Sequence, residues 1–590
     1  MAHRGPDGAG VLVKGNVGLV STRLAIVDQG ERGAQPMTHP DGRWAIVYNG
    51  ELYNHLELRR ELDEPFHGSG DTETALHALA RWGPAAIERF RGQFALAALD
   101  LETGRLVLAR DGFGIKPLYV AKFAGGIWFA SELDALLAAG VPRRAALPQL
   151  AKAIDFAYSP GRATALDGIE ALSPGTWRSL DLASLDATER RYFSPAQAVD
   201  PELQAELARR PRRRLLDEVD AALRASVEST LLADVPVAVM LSGGLDSSLI
   251  ASHLAELRPA SVGFNATLAG PRLDEDGRAA TLATRALGME LETVSIDASS
   301  WCAGLVAATR HYGGPLNSPS SVVIAQVAAR ARDRGRKVLL TGEGADELFD
   351  GYGIHSIAVR AFLGRRRYLR HRLGPGGLLA RSRTLSRALA AHRDGAAEPG
   401  PRLPVKHDWS SEISRQQAAS AAYGHHDPTR RDLEAMLLGD LGSILPPLLH
   451  RMDANNMQSS VEARVPMLEA PMVNLAVNLP LEARVTPFSK GLLRESARRR
   501  LPRAIIVRPK VRGMNFSPGS WLAERARPDF LLDGVLRELF QIEAGVWIRL
   551  VERSEADRVV RLWSAEIWCR SALEGKPDEV IDRELWRAHA

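Results

Sequence analysis

In the first 175 or so residues, short apolar runs alternate with Gly, Asp and Asn. Residues 44–48, 94–99 and 106–109 read as strands, and residues 72–80 read as a helix. That pattern predicts a sheet-rich α/β domain. Residues 194–214 are polar, proline-bearing and charged, which predicts a connection between two domains. Leu216, Val219, Leu223, Val227 and Leu231 then recur every three or four residues, as on one face of an amphipathic helix, and Pro236 ends it. Residues 237–241 predict a buried strand, followed by Ser242-Gly243-Gly244-Leu245-Asp246-Ser247-Ser248 and a helix to about Leu257. A second such unit opens at Ser261-Val262-Gly263-Phe264. A third strand, 338–341, runs straight into Gly342-Glu343-Gly344-Ala345-Asp346-Glu347. Strand, glycine turn and helix in alternation predict a doubly wound, mainly parallel sheet. The last 150 or so residues hold Trp521, Trp547, Trp563 and Trp568 among apolar helical stretches. They predict a helical cap with tryptophans as core anchors.

Composition narrows the class. The chain has 590 residues, 45% hydrophobic and 25% charged, with a net charge of +4. That balance argues against a nucleic-acid or membrane-surface protein. Arginines crowd residues 361–404, but stacking aromatics are sparse there, so a solvated insertion is expected rather than a nucleic-acid patch. Two cysteines, Cys302 and Cys569, exclude a disulfide scaffold and a cysteine-only zinc site. No secretion segment and no membrane span are expected, so a cytoplasmic enzyme is the expectation. The sequence does not fix the oligomeric state, though homodimers are common among such enzymes.

The chemistry concentrates in three places. Two adjacent glycines after a strand let backbone N–H groups converge on one spot, and the helix behind them adds its positive end. Ser242, Ser247 and Ser248 add hydroxyls, which suits a phosphate or pyrophosphate. Asp246 would repel bare phosphate, so it implies a bridging divalent cation. The alternative is a tight structural turn capped by serines. Glu343, Asp346 and Glu347 follow the third strand, where open parallel sheets bind ligands. Asp346 with Asp246 can hold Mg²⁺ against a polyphosphate, and Glu343 can accept a proton or orient an attacking amine. Glu343 and Asp346 share a face if a helix starts there; acidic N-capping is compatible with both readings. The third place is Asp453 with residues 457–466, which include Glu462 and Arg464, followed by Lys490, Arg494, Arg508 and Lys510. Charge developing on phosphorus and carbon during acyl activation needs such cations nearby. A lone lysine on a helix is otherwise simply solvated.

With Val461-Glu462-Ala463-Arg464-Val465-Pro466, the two glycine loops resemble the synthetase domain of glutamine-hydrolysing asparagine synthetases, the serine loop being similar to that of ATP pyrophosphatases. The resemblance extends to the family's glutaminase half. It is carried there by His3-Arg4-Gly5-Pro6-Asp7, Arg23-Leu24-Ala25-Ile26-Val27-Asp28, Asn49-Gly50-Glu51-Leu52-Tyr53-Asn54, Gly70-Asp71-Thr72-Glu73 and the stretch from Arg110 through Lys116 to Tyr119. It implies a glutaminase domain of the N-terminal-nucleophile α/β-sandwich type over 1–193, lacking its first strand. A linker over 194–214 and an ATP-pyrophosphatase domain over 215–590 would follow. Arg23 would hold the glutamine α-carboxylate, Asp71 its α-amino group, Asn49 and Gly50 the oxyanion, and Glu51 would line the pocket. The nucleotide site would comprise Leu241, Ser242, Gly243, Gly244, Asp246, Ser247, Ser248, Val262, Gly263 and Gly342, with Phe264 near the adenine. Mg²⁺ would sit on Asp246 and Asp346. Glu343 would assist ammonia attack and Lys490 would stabilise the adenylate. The implied substrates are ATP, glutamine or ammonia, and aspartate or another carboxylic acid; the implied reaction runs through an acyl-adenylate to an amide, AMP and pyrophosphate.

The sequence departs from the family in three ways. The family nucleophile is an N-terminal cysteine whose free amine can act as its base, whereas this sequence opens Met1-Ala2-His3-Arg4. Either the sequence is a fragment or begins at a start placed too late, which the intact pocket motifs favour, or the protein is truly truncated and uses free ammonia or a donated amine. As written, it is expected to hydrolyse no glutamine. Asp350 stands where the family often has glycine, and Asn455-Asn456 where Arg-Asn is more usual. Both point toward an acceptor other than aspartate. A non-catalytic scaffold is the remaining alternative.

Overall fold

A computed structural model describes residues 1–157, 161–269, 275–352, 359, 402–405, 421–423, 428–486, 488–509 and 518–587. Most of the arginine-rich stretch, and Lys510, lie outside the described residues.

The N-terminal part is an α/β sandwich. Six antiparallel strands lie side by side in the order Ala187–Arg191, Thr176–Asp181, Arg105–Arg110, Gly92–Asp100, Trp44–Leu52, Met37–Thr38. Alternate side chains of these strands face opposite layers. Trp44, Ile46, Tyr48, Phe94, Leu96 and Ala98 pack against the helices His55–Leu62 and Asp71–Trp82. Ala95, Ala97, Leu106 and Leu108 turn the other way, toward Leu118 and Val120 of a three-stranded sheet formed by Tyr119–Phe123, Gly126–Ala130 and Ile169–Ala171. A separate hairpin, Gly8–Lys14 with Val17–Arg23, carries the exposed Val11, Val13 and Val20.

The region expected as a connection is largely helical. Pro201–Arg209 is a helix whose Asp200 cap accepts from the N–H groups of Glu202 and Leu203. The next helix, Arg212–Ser229, starts earlier than the apolar stripe suggested. Proline at the first turn of one helix and at the N-cap of the next sets φ without costing a hydrogen bond, so prolines there start helices. Buried Leu207 and Leu215 fix both helices to the core of the second half.

That second half is built on five parallel strands ordered Glu290–Ile296, Val262–Leu268, Val237–Met240, Val338–Leu340, Glu462–Arg464. Val237, Val239, Val338 and Leu340 enter one hydrophobic layer, and Ala238 and Leu339 enter the other. Both faces are therefore covered, as a parallel sheet requires. The strand order reverses between Val237–Met240 and Val338–Leu340, all strands staying parallel: one leads outward to Val262–Leu268, the other starts the opposite flank. A crevice opens at such a switch point, beyond the carboxyl ends of the strands. Both glycine loops leave from these two strands.

The C-terminal helices Ala544–Glu552 and Ala556–Trp568 close one layer with Trp547, Trp563 and Trp568. The same core takes in Leu133, Leu136, Leu150 and Ile154, so the two halves share one packed interior. No helix among the described residues is long and apolar enough to cross a membrane. The Trp547 indole N–H donates to the Leu531 carbonyl at 2.9 Å from a fully buried position. Trp547→Ala removes that packing and is expected to cost about 3–5 kcal/mol, read as a lower thermal midpoint of the purified chain.

Candidate active site

The serine loop takes its shape from glycine. Gly243 has φ +70°, and a Cβ there would lie 2.5 Å from the Ala280 nitrogen and 2.7 Å from Ala279 Cβ. No other residue fits without displacing the helix Glu275–Leu287. The loop is held locally: Gly244 N–H donates to Ser242 Oγ (3.3 Å), and the Ser242 and Ser247 hydroxyls lie 3.1 Å apart. The helix Leu245–Leu257 points its N-terminus into the crevice. Arg508 donates to the Gly243 carbonyl (3.3 Å) and pairs with Asp276, which puts a cation beside the turn.

The acidic loop meets it. A Cβ on Gly342 would lie 3.1 Å from the Ser247 nitrogen and 3.2 Å from Asp246 Cβ, so the two loops touch across the switch point. The helix starts only at Ala345, one residue before Asp346, so Glu343 and Asp346 share no helix face. Gly344, at φ +92°, turns the chain between them. Glu343 accepts from Arg451 at 3.1 Å, whereas Asp346 faces Lys490.

Lys490 is the centre of the site. Its Nζ lies 2.5 Å from Asp246 Oδ2 and 2.7 Å from Asp346 Oδ1, and the side chain is 5% exposed. Burial alone would lower its pKa; Asp246 and Asp346 outweigh burial and hold the ammonium well above its ordinary value. The residue sits in the left-handed region at φ +58°, just before the helix Gly491–Ala497. Gly351 makes room for it: a Cβ there would lie 1.7 Å from Asp346 Oδ1 and 2.6 Å from Lys490 Cε.

The donor set suits a nucleotide polyphosphate and a hard divalent cation. Asp246 Oδ1 and Ser248 Oγ are buried without a hydrogen-bond partner, so they await a ligand. The two aspartates are oxygen donors of the kind Mg²⁺ takes. Leu241 donates its N–H to the Phe264 carbonyl at 2.7 Å. Val262 and Gly263 lie in the adjoining strand, Gly263 opposite Val239, with both residues buried.

Behind Glu343, Glu347 is buried and accepts from the Tyr352 hydroxyl at 2.6 Å. Burial, then Asp346, pushes Glu347 up to about 8. Asp350, next to Gly351, is a buried carboxylate at φ +54°.

The second pocket, a cavity of about 500 Å³, brings together Arg23, Asn49, Gly50, Glu51 and Asp71. Gly50, at φ +138°, has no room for a Cβ, which would meet the Gln93 carbonyl oxygen at 1.9 Å. Asn49 Nδ2 donates to Ser131 Oγ at 3.3 Å. The Arg23 guanidinium is held by the carbonyls of Val27, Asp28 and Gly30. Asp71 is the first residue of its helix, and its carboxylate accepts from Leu52 N–H at 2.7 Å. Burial raises it to about 6 against that backbone bond. Burial, reinforced by Asp71, also raises Glu51 well above its ordinary value, although Arg464 opposes this.

Buried charges join the two pockets. Arg464 lies 3.2 Å from Glu51 and 2.7 Å from Glu462; Lys116 lies 3.0 Å from Glu462 and 3.5 Å from Asp453; Arg4 lies 2.8 Å from Asp453. Gln93 donates to the Ala463 carbonyl at 3.1 Å in the same seam. Sequence reasoning missed Arg451 and this seam, whose partners are hundreds of residues apart.

A switch-point crevice shaped for a polyphosphate, beside a polar pocket joined to it by buried charge, defines a ligase-type architecture with an amidotransferase half. Comparison with known proteins agrees. Residues 1–193 match the glutamine amidotransferase domain and residues 218–573 match asparagine synthase. The chain belongs to the asparagine synthase family, in which use of ATP and Mg²⁺ is typical. Asparagine synthetase 1 of Bacillus subtilis (strain 168) is 30% identical over 531 residues, covering 87% of this chain and 82% of its own. Asparagine synthetase 3 of the same organism is 27% identical over 589 residues, covering 91% and 87%. A Penicillium rubens protein named amidase chyE is 30% identical over 372 residues, covering 60% and 54%.

The raised Asp71 makes a pH prediction. A carboxyl whose folded pKa lies above its unfolded value of 3.8 contributes stability below about pH 4 and loses it as pH rises through about 6. Asp71→Asn is therefore expected to stabilise the ligand-free chain at pH 7 by on the order of 1–3 kcal/mol and to flatten its stability profile between pH 4 and 6. Thermal melts across that range measure it.

Proposed function

We propose that the chain makes an amide from ammonia and an ATP-activated carboxylic acid, with aspartate as acceptor and asparagine as product. The observation that carries this reading is the convergence of Asp246 and Asp346, from two distant loops, on the buried Lys490. In the reaction, backbone N–H groups and hydroxyls of 242–248 hold the pyrophosphate portion of ATP. Asp246 and Asp346 would hold Mg²⁺, which would supply charge neutralisation for the phosphates. Lys490 then bears on the negative charge that develops at the acyl-adenylate and its tetrahedral adduct. Glu343, oriented by Arg451, accepts a proton from the attacking ammonia. Amide, AMP and pyrophosphate are the products. Asp246→Asn and Glu343→Gln are each expected to lower the amide-forming rate with ammonium by at least about 100-fold while leaving the thermal midpoint near wild type. Near-normal turnover in either variant contradicts the assigned role.

In the glutamine pocket, Arg23 and Asp71 would hold the two ends of the amino acid, Asn49 and Gly50 the oxyanion, and Glu51 the pocket wall. Neither cysteine lines that pocket. Both are buried, and burial raises Cys302 to about 11 and Cys569 well above its ordinary value. A polypeptide of this sequence is therefore expected to use ammonium and to release no glutamate from glutamine. Glutamate above a blank, measured with the purified chain, overturns that expectation.

A second acceptor has one observation in its favour. Asp350 places a buried carboxylate, in a left-handed conformation, beside Gly351 and the acidic loop, where glycine is common in the family. Substrate-dependent ATP–pyrophosphate exchange separates the readings. Aspartate stimulates exchange under the first; another carboxylic acid stimulates it, and aspartate does not, under the second.

A further inference from the structure

A cluster on the helical face of the six-stranded sheet has no part in either pocket. His39 follows the edge strand Met37–Thr38, Glu64 follows the helix His55–Leu62, and His77 lies within the helix Asp71–Trp82. One ligand atom from each of the three can be chosen so that all lie within 4.8 Å of one another. The imidazoles meet edge to face with centroids 4.5 Å apart. Each ring is already oriented by a carboxylate: His39 Nδ1 lies 2.8 Å from Asp41 Oδ1, and His77 Nδ1 lies 2.9 Å from Glu64 Oε2. That leaves Nε2 on both rings, and both Nε2 atoms are buried with no hydrogen-bond partner. Buried imidazole nitrogens left without a partner are costly unless something satisfies them. An imidazole held by a carboxylate through one nitrogen, with the other free, is the arrangement that metal-ligating histidines adopt.

We propose that His39, His77 and Glu64 bind a divalent transition-metal ion of the Zn²⁺ type, with water completing the coordination. Imidazole nitrogens favour Zn²⁺, Co²⁺ or Ni²⁺ over Mg²⁺, so this site is chemically distinct from the nucleotide site. Tetrahedral zinc needs donor atoms about 3.3 Å apart, as follows from bonds of about 2.0–2.1 Å. The Glu64 side chain, 35% exposed, would exchange its contact with His77 Nδ1 for the ion and close that distance. The other cluster of this type among the described residues, His3, Glu132 and His311, already has the Arg4 guanidinium 3.3 Å from its carboxylate, which opposes a cation there. A bound ion would clip the helix that begins with Asp71 to the sheet edge and to the helix before it.

The test uses the full chain, stripped with a chelator and titrated with Co²⁺ and then Zn²⁺. One equivalent of Co²⁺ is expected to give visible d–d absorption, Zn²⁺ to displace it, and the thermal midpoint to rise. His39→Gln, His77→Gln and Glu64→Gln are each expected to abolish the signal. Asp41→Asn, which loosens His39 without removing a ligand, is expected to weaken binding about 10–100-fold. His311→Gln is expected to leave the stoichiometry unchanged. No binding at micromolar metal, wild-type binding in His39→Gln, or loss of the signal in His311→Gln overturns the proposal. Should His77→Gln fail to fold, the wild-type titration, Glu64→Gln and His39→Gln still decide it.

Discussion

The seam of buried charge running from Glu51 through Arg464, Glu462, Lys116 and Asp453 to Arg4 holds the two pockets in register. Desolvating so many ions is expensive, and a buried pair repays it only when every member has partners. Here each does. Arg464 also donates to the carbonyls of Thr230 and Leu232, at 2.9 and 2.6 Å. Burial would raise Glu462, but Lys116 and Arg464 outweigh it and hold the carboxylate below its ordinary range. Removing one member strands the next charge in a dry interior, a loss of about 3–5 kcal/mol in comparable sites. Small relative motions of the halves are therefore penalised, which an apolar interface of the same area would tolerate more easily.

Around that seam the two loops are shaped by exclusion. Gly243, Gly342 and Gly351 sit where a Cβ would strike backbone, a facing loop or the Asp346–Lys490 pair. Close approach of main chains leaves the crevice lined by N–H groups and short polar side chains, which are better matched to phosphate than to an apolar ligand. The acidic loop supplies opposite charge at the same place. In the structure the Lys490 ammonium joins these carboxylates, and on the proposed reading a divalent cation would take that place beside the anion-binding backbone.

The loops were legible in the sequence because glycine, serine and aspartate in that order serve few purposes. The strand–turn–helix units came through for the same reason: runs such as Val237 to Leu241 alternate between two buried layers, and nothing but a sheet covered on both faces needs that. The segment over 194–214 was harder. Its prolines read as breaks, yet Pro201 and Pro211 stand at helix starts, where a missing N–H costs nothing. The linked acids 343 and 346 pointed to a shared helix face, and the glycine between them parted them. Arg451, Lys116 and the depth of Lys490 left no local trace. A lysine preceding a short helix looks solvated until folding brings two aspartates to it from positions more than 140 residues earlier in the chain.

Lys490 has a consequence for how the empty protein survives. Two facing aspartates with no counterion would push their loops apart, and a crevice that waited for a nucleotide to neutralise it would stay unformed until one arrived. A tethered ammonium serves as an internal placeholder, so the phosphate cradle is assembled in advance. The same tether sets an order of events. A metal ion held by Asp246 and Asp346 would compete with the lysine for those oxygens, so its arrival would free the ammonium.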